Sequence, residues 1–510
     1  MDFENKLTSK ILDPIHGTIR LTTLEIAFIN HPLFQRLRNI KQNSFLYKVF
    51  PSAVHSRFEH SLGVLHLSSE ILNNLRLNAI RYQKKYDDGH VFGHIDQIPK
   101  HNIQELRLAA LMHDIGHGPV SHQFESFMPS KRDFSDVLPT AYHSIIDAIS
   151  NPEQKVEHEQ LSLLFSLMIY HDLKKQSKVD DEINIENVLK IIEKRYGDQQ
   201  IIEKINGKAT DILPLMTSII SSCPIDADRM DYLLRDGYFS GVKCGIYDYN
   251  RLFMSIVPVE EEGKLYLAYK ESGIDSIAEF IGARSSLFSQ VYYHKTNRAF
   301  ATMLSTLCEI MQSKDPQNVI ISDVTDRIVD HSDESFIDAL KEFYLACSDD
   351  YFLNDKLGEW IDISDTEAVN KKILDDIINR HPWSKVYEAK HSVYKADIAD
   401  KENKAWKSQL TGLLTSVLQP HFKPHEFAVD IVSDCAFKDL EKTEVKLLVK
   451  DLKNRYEIKS LNKCGDKLNQ YQIIKYCIRV FVDRDIKERV TSEIIHKINE
   501  IVVKQIALLN

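Results

Sequence analysis

A chain of 510 residues exceeds what one ordinary hydrophobic core organises, so a large domain with at least one further module is expected. Hydrophobic residues at 43% and charged residues at 27% exclude a disordered or fibrous chain, and a formal net charge of −10 excludes strong general nucleic-acid binding, leaving compact anions as better-matched ligands. No run approaches the roughly 20 apolar residues of a membrane span, and MDFENKLTSK lacks an apolar signal core, so a cytoplasmic protein without a membrane partner is expected.

In chain order, apolar residues recur at spacings of three and four in 61–80, 103–114, 158–170 and 212–222, which predicts a helical domain over residues 1–300. The polar stretches 84–102 and 174–187 read as surface insertions. In VPVEEEGKLYLAYK (257–270), Leu265, Leu267 and Tyr269 alternate with polar neighbours after a Gly-containing turn, which predicts an inserted hairpin. Residues 301–424 read as a helical extension, in which ADIADKENKAWK (396–407) is either an exposed helix or a hinge. From 425 to 510 the runs FAVDIVS, EVKLLVK, RYEIKSL and YCIRVFV are rich in β-branched and aromatic residues, so a small α+β C-terminal module closes a mainly α chain. Seven cysteines, at 223, 244, 308, 347, 435, 464 and 477, form no CxxC pair and read as reduced packing residues rather than a disulfide framework or thiolate zinc site.

The segment IQELRLAALMHDIGHGP carries the chemistry. Leu106, Ala110, His113 and His117 follow at four, three and four, on one helical face, until Gly116, Gly118 and Pro119 end the helix. Imidazole and carboxylate donors without a thiolate suit manganese, iron, zinc or magnesium and do not choose among them. Adjacent residues on a helix diverge by about 100 degrees, so an ion between His113 and Asp114 sits at the helix side and needs further ligands. His60 and Asp228, each at the start of another amphipathic helix, can project into the same cleft. Taken alone, an HD dipeptide carries little weight, because short motifs recur by chance and a lone histidine on an apolar face is usually a hydrogen-bonded core residue.

In the order DPIHGTIRL, HPLFQRLRNIKQ, HSRFEHSLGV, LMHDIGHGPVSHQFE, VEHEQ, IDADRMDYLLRDG and RSSLFSQVYYHK, the chain resembles the HD-domain deoxynucleoside triphosphate triphosphohydrolases over about residues 10–300. It is most similar to the animal branch, which joins a sterile-alpha-motif to the HD domain, although no sterile-alpha-motif is expected before residue 10. FAVDIVS and QIIKYCIRVFV resemble that branch's C-terminal lobe more faintly. The resemblance implies an HD-domain helical catalytic core in which His60, His113, Asp114 and Asp228 hold a divalent metal ion. It implies that His122 protonates the departing 5′ oxygen, and that His117, His158 and Glu125, with Glu159 beside them, handle the attacking water; Glu125 stands where the family has Asp.

Arg57, Arg229 and Arg284 match phosphate-contacting positions, with Arg229 in place of a family Lys. Gln42 and Asp236 match positions that hold the deoxyribose 3′ hydroxyl, and Tyr232 and Tyr292 match aromatic walls that crowd a ribose 2′ hydroxyl. Phe288 replaces a family His and Asn43 a Leu, which leaves base and sugar preference open. Gln35 and Arg38 match an activating-nucleotide site, so an allosteric homo-oligomer, dimer or tetramer, is implied. The expected reaction is hydrolysis of a deoxynucleoside triphosphate to deoxynucleoside and inorganic triphosphate. The alternatives are another nucleotide substrate (a monophosphate, cyclic nucleotide or dinucleoside polyphosphate) and a nucleotide-binding regulator that does not turn over.

Overall fold

Two helices, one buried on nearly every side and one over its first two thirds, organise the core. The computed structural model describes residues 3–509 apart from 84–89, 148–150, 223, 315–317, 329–334, 365–367, 395–399, 436–442, 452, 454, 462–467 and 469–470. Expectations for Cys223, Cys464, residues 84–89 and residues 396–399 lie outside the described residues. The chain is mainly α with additional small sheets. The helix Arg57–Gln83 buries Phe58, Leu62, Leu65, Leu72 and Leu75, and in Lys100–Met112 every residue from Asn102 onward is buried. Helices without a solvated stripe must lie inside, and His158–Lys175 and Ala227–Ser240 complete the group around them.

Two glycines set how closely these elements approach. A Cβ on Gly63 would lie 1.8 Å from Asp231 Oδ1, so the helix Ala227–Ser240 presses directly onto Arg57–Gln83 there. A Cβ on Gly116 would lie 2.1 Å from the His158 carbonyl oxygen, and the Gly116 amide donates to Ser162 Oγ at 2.9 Å. The loop after Lys100–Met112 therefore runs against the backbone of the helix that carries His158. Asp226 caps Ala227–Ser240 by accepting from the Arg229 amide, and Gly241 ends it in a left-handed conformation at φ 73°.

Strands β1 (Ser9–Asp13) and β2 (Gly17–Leu21) form an N-terminal hairpin, and β3 (Ile202–Ile205) and β4 (Lys208–Asp211) a second one. The expected hairpin is β5 (Ile256–Glu261) against β6 (Lys264–Lys270), antiparallel in register Ile256 to Tyr269. Two corrections follow downstream. Residues Ser384–Tyr394, read from sequence as helical, form strand β7, because Glu388, Lys390, Ser392 and Tyr394 alternate with the other face and pair along β11 (Ile473–Val482). EVKLLVK and RYEIKSL, expected in the C-terminal module, instead form β9 (Lys446–Lys450) and β10 (Tyr456–Ser460) and extend the β5–β6 sheet, where β6 leaves an open edge for parallel pairing with β9.

The remaining C-terminal strands make a three-stranded antiparallel sheet in the order β7-β11-β8, with β8 at Phe427–Cys435. One face of β11, with Ile474, Tyr476, Ile478 and Val480, packs with Trp406, Leu410 and Leu414 of the helix Asp400–Leu418 and with Ile494 and Ile498 of Ser492–Ala507 in a core of its own. The helix from Asp400 resolves the choice between exposed helix and hinge in favour of a helix. The extension 301–424 sends Phe343, Tyr344, Phe352 and Trp360 onto Phe124 and Phe127, just after the HD dipeptide. Cys244, Cys308, Cys347, Cys435 and Cys477 are free thiols, all but Cys435 buried.

Gly116→Ala should displace the loop from the His158–Lys175 backbone and cost about 1–3 kcal/mol, as overpacking does. Urea unfolding followed by circular dichroism checks this; an unchanged midpoint would mean that the contact yields freely.

Candidate active site

His60, His113, Asp114 and Asp228 meet at the ends of three helices. His60 lies in the first turn of Arg57–Gln83, His113 and Asp114 just past Lys100–Met112, and Asp228 in the first turn of Ala227–Ser240. His60 Nε2 is 3.1 Å from Asp228 Oδ1 and 3.5 Å from Asp114 Oδ2; His113 Nε2 is 3.5 Å from Asp114 Oδ1 and 3.9 Å from Asp228 Oδ1. Ligands with bonds of about 2.1 Å to one ion stand roughly 3.0–3.5 Å apart, so this spacing fits a shared cation. Both Nε2 atoms are buried without a hydrogen-bond partner, an expensive arrangement that a metal ion would relieve.

The opposite ring nitrogens fix the tautomers. His113 Nδ1 donates to the Ala110 carbonyl at 2.9 Å, and His60 Nδ1 donates to Asp231 Oδ2 at 2.7 Å. Each Nε2 is thereby left as an acceptor facing the centre. Asp231 also accepts from His16 Nε2 at 2.6 Å and from Arg235 at 2.8 and 2.9 Å, and Arg235 reaches Asp13 at 2.9 Å. Burial alone would raise the Asp231 carboxyl; Arg235 and the two imidazoles hold it well below the usual range. Burial would likewise lower His60, yet Asp228, Asp231 and Asp114 push it up to about 10. The field at this nitrogen favours positive charge, and a divalent cation supplies that charge as well as a proton does.

A second group adjoins the first. His117 Nε2 is 3.4 Å from Asp114 Oδ1, and its ring stacks on His158 with centroids 3.8 Å apart and planes 17° from parallel. His158 Nδ1 and His122 Nδ1 both donate to Glu125 Oε1, at 2.8 and 3.1 Å, and Glu159 Oε2 lies 3.4 Å from His158 Nδ1. The donor atoms of His117, His122, Glu125 and His158 lie close enough for an ion. Two stacked rings, however, point their in-plane lone pairs side by side rather than at one point, so the group is better built for proton handling. Burial alone would lower His158, but Glu159 and Glu125 raise it to about 9, and His117, buried beside Arg57 and His158, is held well below its ordinary value. His122 is 61% exposed at its side chain.

A cavity of about 390 Å³ opens beside both groups and is lined by Asp114, His117, His122, His158 and Asp228 together with Gln42, Arg57, Tyr232, Asp236 and Tyr292. Arg57 donates to Asp114 and to the Gln42 carbonyl. Asp236 accepts from His55 at 2.6 Å, from Asn43 at 3.0 Å and from the Tyr292 hydroxyl. Two arginines expected here stand behind the cavity wall rather than on it. Arg229 donates to Asp226 and the Ser222 carbonyl, while Arg284 lies over the Phe288 ring and reaches Asp434 at 3.2 Å, and neither lines the cavity. Arg298, which sequence reasoning missed, does line it and is paired with Asp430 at 2.6 Å. Asp231 and His16 were missed as well; the spacing Asp228, Asp231, Arg235 along one helical face was the available signal for the first. Gln35 and Arg38 stand together outside the cavity, with Arg38 Nε donating to Gln35 Oε1 at 2.8 Å and its guanidinium 3.6 Å above the Phe58 ring.

Residues 57–236, which hold all four converging side chains, match the HD domain family. The chain carries an HD domain. HD domains are metal-dependent hydrolase domains, and the His60, His113 and Asp114 group is able to hold a divalent ion. An uncharacterized protein of Methanocaldococcus jannaschii is 28% identical over 91% of this chain and 88% of its own length. The deoxynucleoside triphosphate triphosphohydrolase SAMHD1 of Danio rerio is 26% identical over 82% of this chain, which spans 62% of that relative. A crystal structure of a hypothetical protein from Aquifex aeolicus matches at 22% identity with a TM-score of 0.60, covering 96% of this chain and 99% of that one, and so shares the fold. Among the described residues, no helix of the HD-domain chain is long and apolar enough to cross a membrane.

Asp231→Asn should weaken metal binding about 10–100-fold, as loss of a histidine's outer carboxylate does, while His113→Ala should abolish it. Metal content after dialysis against graded chelator reads both, and an Asp231→Asn protein with unchanged retention would contradict the tautomer argument. A proton on His158, raised to about 9, contributes stability that is fully present below its unfolded value of about 6.5 and lost as pH rises through 9. Glu125→Gln should flatten that loss, measured as urea midpoints between pH 6 and pH 10.

Proposed function

We propose that the chain hydrolyses deoxynucleoside triphosphates to deoxynucleoside and inorganic triphosphate, using one divalent ion held by His60, His113, Asp114 and Asp228. The single observation that carries this reading is that two buried, unpaired imidazole nitrogens converge on Asp114 and Asp228, and these carboxylates line a 390 Å³ cavity with Arg57 on its wall and an exposed histidine, His122, at its rim. That volume suits a nucleotide-sized ligand. When bound, the ion supplies Lewis acidity to a phosphoryl oxygen and lowers the pKa of a water toward neutrality.

The chain's own residues do the rest. Arg57 and Arg298 balance phosphate charge, and Tyr232 and Tyr292 flank the sugar, their rings 6.3 Å apart between centroids. Asp236 keeps one acceptor site beyond its three donors for a 3′ hydroxyl. His122 donates a proton to the leaving 5′ oxygen, oriented by its bond to Glu125. His117 and His158 border the water's approach, and the proton on His158 keeps positive charge near the phosphate. The similarity to the deoxynucleoside triphosphate triphosphohydrolase of Danio rerio supports this substrate class.

One observation favours a smaller phosphorylated nucleotide as second reading. Arg229 and Arg284 are engaged by Asp226 and Asp434, which leaves Arg57 and Arg298 as the arginines of the cavity, and a triphosphate calls for several such forks.

Incubation of the purified protein with each deoxynucleoside triphosphate and with monophosphates, in the presence of manganese, followed by chromatography, separates the two. Released inorganic triphosphate is expected; orthophosphate from a monophosphate would replace the first reading, and binding without turnover would make the chain a nucleotide-binding regulator. His122→Ala should lower kcat about 10²–10⁴-fold with metal content unchanged.

A further inference from the structure

The turn between the HD dipeptide and His122 is strained and is held from far away in the chain. Val120 and Ser121 adopt φ 51° and φ 52°, a left-handed conformation that a β-branched residue rarely enters. Ser121 opens the short helix Ser121–Phe127 that carries His122 and Glu125. Such a backbone persists only when its surroundings over-determine it.

The determinant comes from the helical extension. Asp349 is 2% exposed, and its Oδ1 accepts from the Val120 amide at 2.6 Å while its Oδ2 accepts from the Lys41 amide at 2.9 Å. Ser44 Oγ donates to the Val120 carbonyl at 2.6 Å, and Ser121 Oγ donates to the Lys41 carbonyl at 2.7 Å. The Lys41 arm leads straight to Gln42 in the cavity, whose amide donates to the His55 carbonyl at 3.0 Å, two residues before Arg57. One carboxylate therefore ties the His122 turn to the strand-like segment beside the helix that bears His60.

We propose that Asp349 is a positioning residue for the hydrolysis described above: its two carboxylate oxygens hold the Val120 and Lys41 amides and so fix the left-handed turn that presents His122 to the cavity. This rests on the proposed function for its catalytic consequence, and on the two amide bonds alone for its structural one. Lys41 Nζ, at 3.7 Å from Asp349 and 3.5 Å from Asp350, is the cation nearest this carboxylate and is shared between the two. Burial pushes the Asp349 carboxyl up to about 6 even with both amides bound, a cost that packing alone gives no reason to keep. The side chain is matched to its task by acceptor count. An isosteric amide offers one acceptor and turns its NH2 against the second N–H.

Asp349→Asn and the double variant Asp349→Asn with Val120→Gly are compared with the full chain. For Asp349→Asn the expected result is at least tenfold faster hydrogen exchange at the Val120 amide, a kcat lowered tenfold or more, a KM within threefold, and unchanged metal content. Because glycine adopts the turn without help, the double variant should recover at least a third of the original kcat. Wild-type kcat in Asp349→Asn, a loss confined to KM, loss of metal, or no recovery in the double variant would each overturn the proposal, as would failure of both variants to fold. Should the full chain hydrolyse no nucleotide, the proposed function fails separately; exchange at Val120 then decides, and unchanged protection there overturns the tether.

Discussion

Two buried imidazole nitrogens, each turned toward the same pair of carboxylates with no hydrogen-bond partner of its own, are the constraint from which the rest of this molecule follows. Left alone, buried acceptors cost stability, so their persistence means that the fold is arranged around a cation. The arrangement is consistent outward from that point. His60 is turned by Asp231, Asp231 is neutralised by Arg235 and His16, and Arg235 is balanced by Asp13 on the first hairpin. The N-terminal strands thus complete a chain of alternating charge that ends at the metal side of His60. Gly63 lets the two helices close enough for that chain to exist, since any larger residue would occupy the space of the Asp231 carboxylate.

The two histidine groups divide the labour through geometry. His60 and His113 are edge-on to one another with centroids 5.4 Å apart, which lets their nitrogens converge; His117 and His158 lie face to face, which prevents it. Neighbouring sets of the same residue type therefore favour different cations, a metal in one case and a proton in the other. Glu125 belongs to the second set because its longer side chain reaches His122 and His158 at once.

What the sequence disclosed was what depends on local order. His60, His113, Asp114 and Asp228 each sit within a turn of a helix end, and helix ends are marked by glycine, proline and apolar spacing, so their meeting could be anticipated. The hairpin at β5–β6 was legible for the same reason. Arg284 was not, because a guanidinium on a long stem goes where a carboxylate receives it, and Asp434 is supplied from a strand 150 residues downstream; Arg229 turns instead to Asp226, only three residues before it. Strand β7 escaped because its partner β11 begins some eighty residues later and nothing in SKVYEAKHSVY by itself outweighs the helical run before it. The αL pair at Val120 and Ser121 has no sequence signature at all, since neither residue is glycine or asparagine.

The C-terminal sheet meets the helical core through charges as well as through Phe481, Ala428 and Cys435, which pack into the main core. Along β11 the residues Lys475 and Arg479, flanked by Asp434 and Asp430 of β8, face Ser285, Arg284, Arg298 and the Tyr293 carbonyl, while the apolar side of the same strands is sealed into its own cluster. Pairs buried this far are screened little by salt, so the charged part of the joint holds across ordinary ionic strengths. While the sheet is seated, Asp434 and Asp430 keep Arg284 and Arg298 engaged, so the positive charge left for the cavity is set by where these two carboxylates stand.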